Sequence, residues 1–140
     1  MNVDKMIIQK KLNIKSKKKF EIIDISDEIK KIIKDSKINR GIVNIFSKHS
    51  TSAIVINENE SGLLKDIEIT LSKLVIENND YYHDRIDNNG GSHLKAILLS
   101  PSETIPIYNC KLNLGTWQSI FFIEFDGPRN RIVDVTAIGD

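Results

Sequence analysis

The sequence predicts an α+β domain with a largely antiparallel sheet. Three observations lead there. About seven short stretches rich in β-branched and aromatic residues recur along the chain. Two longer stretches carry apolar residues at helical spacing, and a third, shorter one is a candidate. The two kinds of segment do not alternate regularly, as a doubly wound parallel sheet would require.

In chain order, Lys5 to Ile14 (KMIIQKKLNI) and Phe20 to Ile25 (FEIIDI) read as strands. The lysine-rich stretch between them is turn-like, so the pair is expected to form an N-terminal hairpin. Ser26 is an expected N-cap, with Asp27 and Glu28 facing the positive end of the helix dipole. Ile29, Ile32 and Ile33 then recur at helical spacing, which predicts a short helix from Asp27 to Lys37, stopped by Asn39-Arg40-Gly41. GIVNIFS (Gly41 to Ser47) and AIVIN (Ala53 to Asn57) read as strands.

Leu63, Leu64, Ile67, Leu71, Leu74 and Val75 share one helical face. They predict a helix from about Gly62 to Glu77, capped by Ser61. Tyr81 to Ser92 then reads as a long ordered loop, and loops of that length inside a compact domain tend to be functional. Periodicity leaves His93 to Leu99 open between a helical turn and a strand. Thr104 to Asn109, Gln118 to Phe125 and Arg131 to Ile138 complete a β-rich last third, with turn signals at Asn113-Leu114-Gly115 and Gly127-Pro128.

A chain of 140 residues is expected to form one domain, 1–140. Its size lets it bury roughly 68–70% of its unfolded surface, enough to stand without disulfides. The net charge is +1 and aromatic residues make up 6%. Neither a basic face nor interleaved aromatics is present, so no nucleic-acid partner is expected. The lysine cluster at residues 15 and 17–19 reads as a solvated turn. A single cysteine, Cys110, forbids an internal disulfide and favours a reducing compartment. No apolar run reaches membrane-span length and no signal peptide is evident, so the expected location is the cytoplasm, with no membrane partner.

The chemistry-bearing residues lie at element boundaries. The three histidines are His49, between two strands, and His83 and His93, which bracket a Gly-rich loop. Neutral imidazole is the commonest transition-metal ligand among side chains, and catalytic zinc typically takes three protein ligands plus water. No compact spacing such as H-x-x-x-H is present, so sequence spacing leaves hydrogen-bonded loop histidines as the alternative. Ser50, Thr51 and Ser52 follow His49, without a G-x-S-x-G elbow; such hydroxyls bind a phosphate or cap a turn. Glu58 and Glu60 stand either as metal or base candidates or as first-turn acids for the next helix. Trp117 is either a stacking platform or core. Glu124, within the apolar FFIEF, needs a partner if buried. Arg129, leaving the Asp126-Gly127-Pro128 turn, could grip a phosphate or make a surface ion pair.

Taken in order, several of these pieces resemble the YjbQ-like proteins, uncharacterised protein family UPF0047. They are His49-Ser50-Thr51-Ser52-Ala53, Asn57-Glu58-Asn59, Tyr82-His83-Asp84, Ser92-His93-Leu94-Lys95, Gly115-Thr116-Trp117-Gln118 and Gly127-Pro128-Arg129. The match runs from near residue 5 to the C-terminus. The resemblance implies a homotrimer, β-sandwich-like sheets (to which the sequence pattern adds two or three helices), and three histidines clustered in a pocket that can hold a metal ion, here His49, His83 and His93; the ion expected there is a divalent cation, zinc. It also implies a weak thiamine-phosphate synthase activity in some members.

The expected function is therefore that of a metal-binding enzyme acting on a small phosphorylated substrate. Ser50, Thr51 and Arg129 would bind the anion. Glu124 or Asp84 would orient a ligand histidine or move a proton. A metal-dependent hydrolase and a non-enzymatic trimeric binding or scaffold protein are the alternatives.

Overall fold

The computed structural model describes residues 4–140. Eight strands form two antiparallel sheets. The larger holds β1 (Met6–Lys15), β8 (Asn130–Gly139), β3 (Gly41–Ser47), β5 (Ser102–Tyr108) and β6 (Lys111–Leu112), in that order. The smaller holds β2 (Glu21–Asp24), β7 (Ser119–Glu124) and β4 (Ser52–Asn57). Three α-helices lie among the described residues: α1 (Ser26–Ser36), α2 (Ser61–Leu74) and α3 (Gly90–Leu99). The α+β class and the antiparallel pairing expected from the sequence are both present.

The architecture is layered. Ile14, Val43, Ile45, Ile105, Val133 and Val135 of the large sheet meet Ile54, Ile120 and Phe122 of the small one, with Ile29 and Ile33 of α1. The opposite face of the small sheet, Ala53, Phe121, Ile123 and Phe125, packs on Leu71 of α2 and Ala96 of α3. Strand β7 is thus covered on both faces, which explains why FFIEF shows no polar alternation. Each of its buried Phe and Ile side chains contributes about 1.5–3 kcal/mol of transfer free energy.

The expected N-terminal hairpin does not form. β1 pairs with β8 over its whole length, from Met6↔Gly139 to Lys15↔Asn130, while β2 pairs with β7 in the other sheet. The cause lies at Ser16, where the chain crosses between sheets. The Ser16 N–H donates to the Arg129 carbonyl (2.9 Å), and its hydroxyl donates to Glu124 Oε1 (2.7 Å). These long-range bonds end β1 against the β7–β8 connection instead of folding it back on β2.

Two helix starts also differ from expectation. Ser26 is the first residue of α1, not its cap, and its hydroxyl accepts the Ile120 N–H (2.8 Å). α2 is capped by Glu60, not Ser61: the Glu60 carboxylate accepts from the N–H groups of Gly62 and Leu63. That assigns Glu60 to the helix end. The long loop is shorter than expected. A 3-10 turn, Tyr82–Arg85, occupies its first part, and α3 begins at Gly90, so His93 to Leu99 is helix. Trp117 is no part of the core; it is 73% exposed.

Candidate functional site

The 3-10 turn, the start of α3 and the β7–β8 connection meet at one corner. Asp84 anchors it: its Oδ1 accepts the Gly90 N–H at 2.7 Å, doing the capping that Asn89 leaves undone. A Cβ on Gly90 would come within 2.9 Å of that carboxylate oxygen and of Tyr81 Cβ, so glycine is required for this approach. Ser92 ties the first turn of α3 to the sheet by donating to the Phe125 carbonyl (2.7 Å). The result sets the imidazoles of His83 and His93 edge to face, with ring centroids 4.5 Å apart.

A chain of hydrogen bonds then fixes the state of His83. Asp126 Oδ2 can only accept, and it lies 3.0 Å from the Asn89 side-chain nitrogen. That orients the Asn89 amide, so its oxygen faces His83 Nε2 at 2.9 Å. When neutral, His83 therefore carries its proton on Nε2 and keeps a lone pair on Nδ1. Arg129 closes the chain, donating to Asp126 Oδ2 from Nη2 and to the Asp126 carbonyl from Nε, both at 2.8 Å. Burial acts most strongly on the Asp126 carboxyl and would raise its pKa. The bonds from Asn89 and Arg129 outweigh burial and hold it below the usual range.

His49 is held differently. Its Nε2 accepts the Ile132 N–H at 2.9 Å. A neutral imidazole that accepts at Nε2 bears its proton on Nδ1, so His49 presents a donor and has no free lone pair. Burial, then the charge of Arg131, lowers its pKa. Among the described residues, no group of three His, Cys, Asp or Glu side chains is placed to hold a metal ion. The expected convergence of three imidazoles on one point is thus not formed within one chain: His83 and His93 meet, and His49 is tied to the β8 backbone.

The remaining expected residues take distinct places. Glu124 is fully buried, and its carboxylate accepts from Arg131, Ser16 and the Asp126 N–H; no histidine is among its partners. Thr51 is buried, with its hydroxyl 2.7 Å from Arg131 Nη2, while Ser50 is exposed. The structure thus brings Arg129 to the His83–His93 corner through Asp126, and gives Thr51 and Glu124 to an internal ion pair.

Comparison with known proteins follows the same outline. The sequence profile described as "UPF0047 protein YjbQ-like" matches residues 10–140. This chain belongs to the UPF0047 YjbQ-like family. A UPF0047 protein of Methanothermobacter thermautotrophicus is 49% identical, over 95% of this chain and 93% of its own. The UPF0047 protein YugU of Bacillus subtilis is 33% identical over 93% of this chain and 98% of its own. A YbjQ-like protein of unknown function from Sulfolobus solfataricus superposes with a TM-score of 0.96 at 36% identity, covering 98% of this chain and 100% of that one.

Two residues that order this family member's corner, Asn89 and Asp126, were not among the expected site residues. The only sequence signal for them was position: Asn89 precedes a Gly-Gly pair, and Asp126 opens a Gly-Pro turn. No helix among the described residues is long and apolar enough to cross a membrane.

Proposed function

We propose that this family member is an enzyme acting on a small phosphorylated molecule at the corner formed by His83, His93 and Arg129. The Asp126–Asn89–His83 chain carries the reading. It holds the His83 lone pair on Nδ1, and a lone pair held in one tautomer serves as a general base or a metal ligand. As base, His83 Nδ1 takes a proton from the attacking water or hydroxyl. The Nε2–H stays on Asn89, and the Asp126 charge at the far end of the chain supports the imidazolium. Arg129 is about half exposed, with one side of its fork on Asp126, so the other side can meet a phosphate. In formation of thiamine phosphate a thiazole ring nitrogen attacks and has no proton to lose, so there the site would act by positioning the reactants and through Arg129 on the leaving pyrophosphate.

Catalytic zinc typically takes three protein ligands. The His83–His93 pair supplies two, and the His49 tautomer removes the third, so the three-histidine set does not fit within one chain. The homotrimer implied by the family stands as part of the proposal. Ile7, Ile138 and Ile42, exposed on adjacent strands of the large sheet's outer face, support burial against further copies.

The test is turnover on a panel of phosphorylated compounds, including the pyrimidine pyrophosphate and thiazole phosphate that combine into thiamine phosphate. His83→Ala should lose about 10²-fold or more in rate, as removal of a general base does, and Arg129→Ala should raise KM. Unchanged turnover in His83→Ala would refute the reading. Metal content, measured by mass spectrometry on protein made without a His tag, decides the role of His83. Metal lost in both His83→Ala and His93→Ala makes it a ligand; metal-free active protein makes it the base.

A further inference from the structure

One concavity of the surface shares no residue with the histidine corner. It is a cleft of about 550 Å³ between α1 and the β5–β6 hairpin, lined by Lys30, Lys34, Asn109, Cys110, Lys111 and Leu112. We propose that this cleft binds a small organic anion with a phosphate or carboxylate head and an apolar body.

Charge is the first argument. Lys30 and Lys34 stand one turn apart on the exposed face of α1, where like charges repel. Of the acids on α1, Asp35 pairs with Lys31 at 3.5 Å, and Asp27, one turn before Lys30, makes no ion pair with it among the described residues. Lys111 brings a third ammonium from β6. None of the three meets a carboxylate among the described residues. The helix dipole favours Lys34, in the last turn of α1, but gives nothing to Lys30 or Lys111.

Shape is the second. The lysine stems and half-buried Leu112, which packs against the main core, give the cleft apolar walls, with cations able to reach its rim. The far wall is preformed. Asn109 and Cys110 both take left-handed backbone angles (φ 52° and 62°) in a two-residue turn, and the Cys110 N–H donates to the Asn39 carbonyl at 3.1 Å. The volume suits a small organic ligand, for which pockets run to roughly 300–1,000 Å³.

Cys110 is the only cysteine and is exposed, so its alkylation reports occupancy. Decyl phosphate, kept below its micellar concentration, is the probe, with alkylation by iodoacetamide and backbone NMR shifts as readouts. Decyl phosphate should slow alkylation and shift amides of α1 and residues 109–112. Lys30→Gln with Lys34→Gln should weaken its binding about tenfold, each exposed charge contributing roughly a factor of three. Lys111→Gln should act in the same direction. Decanoate should bind comparably, whereas decanol and inorganic phosphate should each bind far more weakly. The proposal is overturned by any of four results: no binding up to about 1 mM, a range that covers the weakest useful affinities; an unchanged alkylation rate; equal affinity in a folded double variant; or inorganic phosphate binding as tightly as decyl phosphate.

Discussion

Replacing Glu124 with glutamine removes one charge from the most enclosed ion pair among the described residues. Glu124 is 0% exposed and Arg131 5%, and they join β7 of one sheet to β8 of the other. The wild-type carboxylate accepts from the Arg131 guanidinium, the Ser16 hydroxyl and the Asp126 N–H, all donors. A glutamine keeps the shape but turns an NH2 toward one of those donors and leaves the Arg131 charge uncompensated. Breaking one partner of a buried pair costs about 3–5 kcal/mol. For 140 residues, an unfolding entropy of about 2.1 cal/mol/K per residue converts this into a Tm drop of roughly 10–17 °C.

The assay is urea and thermal unfolding of Glu124→Gln, and of Glu124→Leu with Arg131→Met together. The double variant should recover most of the loss, because an apolar pair removes both charges at once. The pH dependence has a definite sign. Burial acts most strongly on Glu124 and would raise its pKa, but the bonds from Arg131 and Ser16 outweigh it and lower the pKa. The associated stability is present above the unfolded glutamate value of about 4.3 and is lost as the pH falls through the folded value. The gap between wild type and Glu124→Gln should therefore narrow in acid, where a protonated glutamate resembles glutamine. A loss below about 1 kcal/mol at pH 7, the size of an ordinary hydrogen bond, would refute the reasoning.

Three further outcomes are expected. His49, its pKa lowered chiefly by burial, contributes stability that is full above about pH 6.5 and falls away as the pH drops toward the folded value; in His49→Gln, chemical denaturation at pH 5 and 8 should show a smaller difference than in wild type. ¹⁵N NMR of the histidine rings should find the neutral form of His83 as the Nε2–H tautomer, and Asn89→Ala should give a tautomer mixture; a mixture already present in wild type would remove the basis for a fixed lone pair. Gly41→Ala places a Cβ against the Ile138 carbonyl and the Gly139 Cα, both backbone, so it should cost at least about 3 kcal/mol, the upper range for overpacking, read from urea midpoints.

Much of the fold was legible because burial writes it into local pattern. Leu64, Ile67 and Leu71 announce α2 through their spacing, and β3 and β5 stand out by β-branched content. The need of Glu124 for a partner was legible too, because a lone buried carboxylate is too costly to stand. The identity of that partner was not: Arg131 lies beyond a turn, on the other sheet. The pairing of β1 with β8 was hidden for a similar reason, since proximity in sequence favours a hairpin and the bonds of Ser16 that prevent it come from residues 124 and 129. At the corner, His83 and His93 were singled out by residue type. Asn89 and Asp126 were not, because an amide and a carboxylate 37 positions apart carry no periodicity.

The crossing at Ser16 also bears on how quickly the protein folds. Ser16 and Glu124 are 108 positions apart, and β1 closes on β8 from the opposite end of the chain. Loop-closure entropy must be overcome before such contacts give any return, so topologies dominated by them fold in milliseconds to seconds, not microseconds. Until the first strand docks, the Glu124 carboxylate lacks its serine donor and the edge of β8 stands open for pairing. The N-terminal strand is therefore the piece whose truncation or slow arrival would expose the newly made chain to edge-to-edge aggregation.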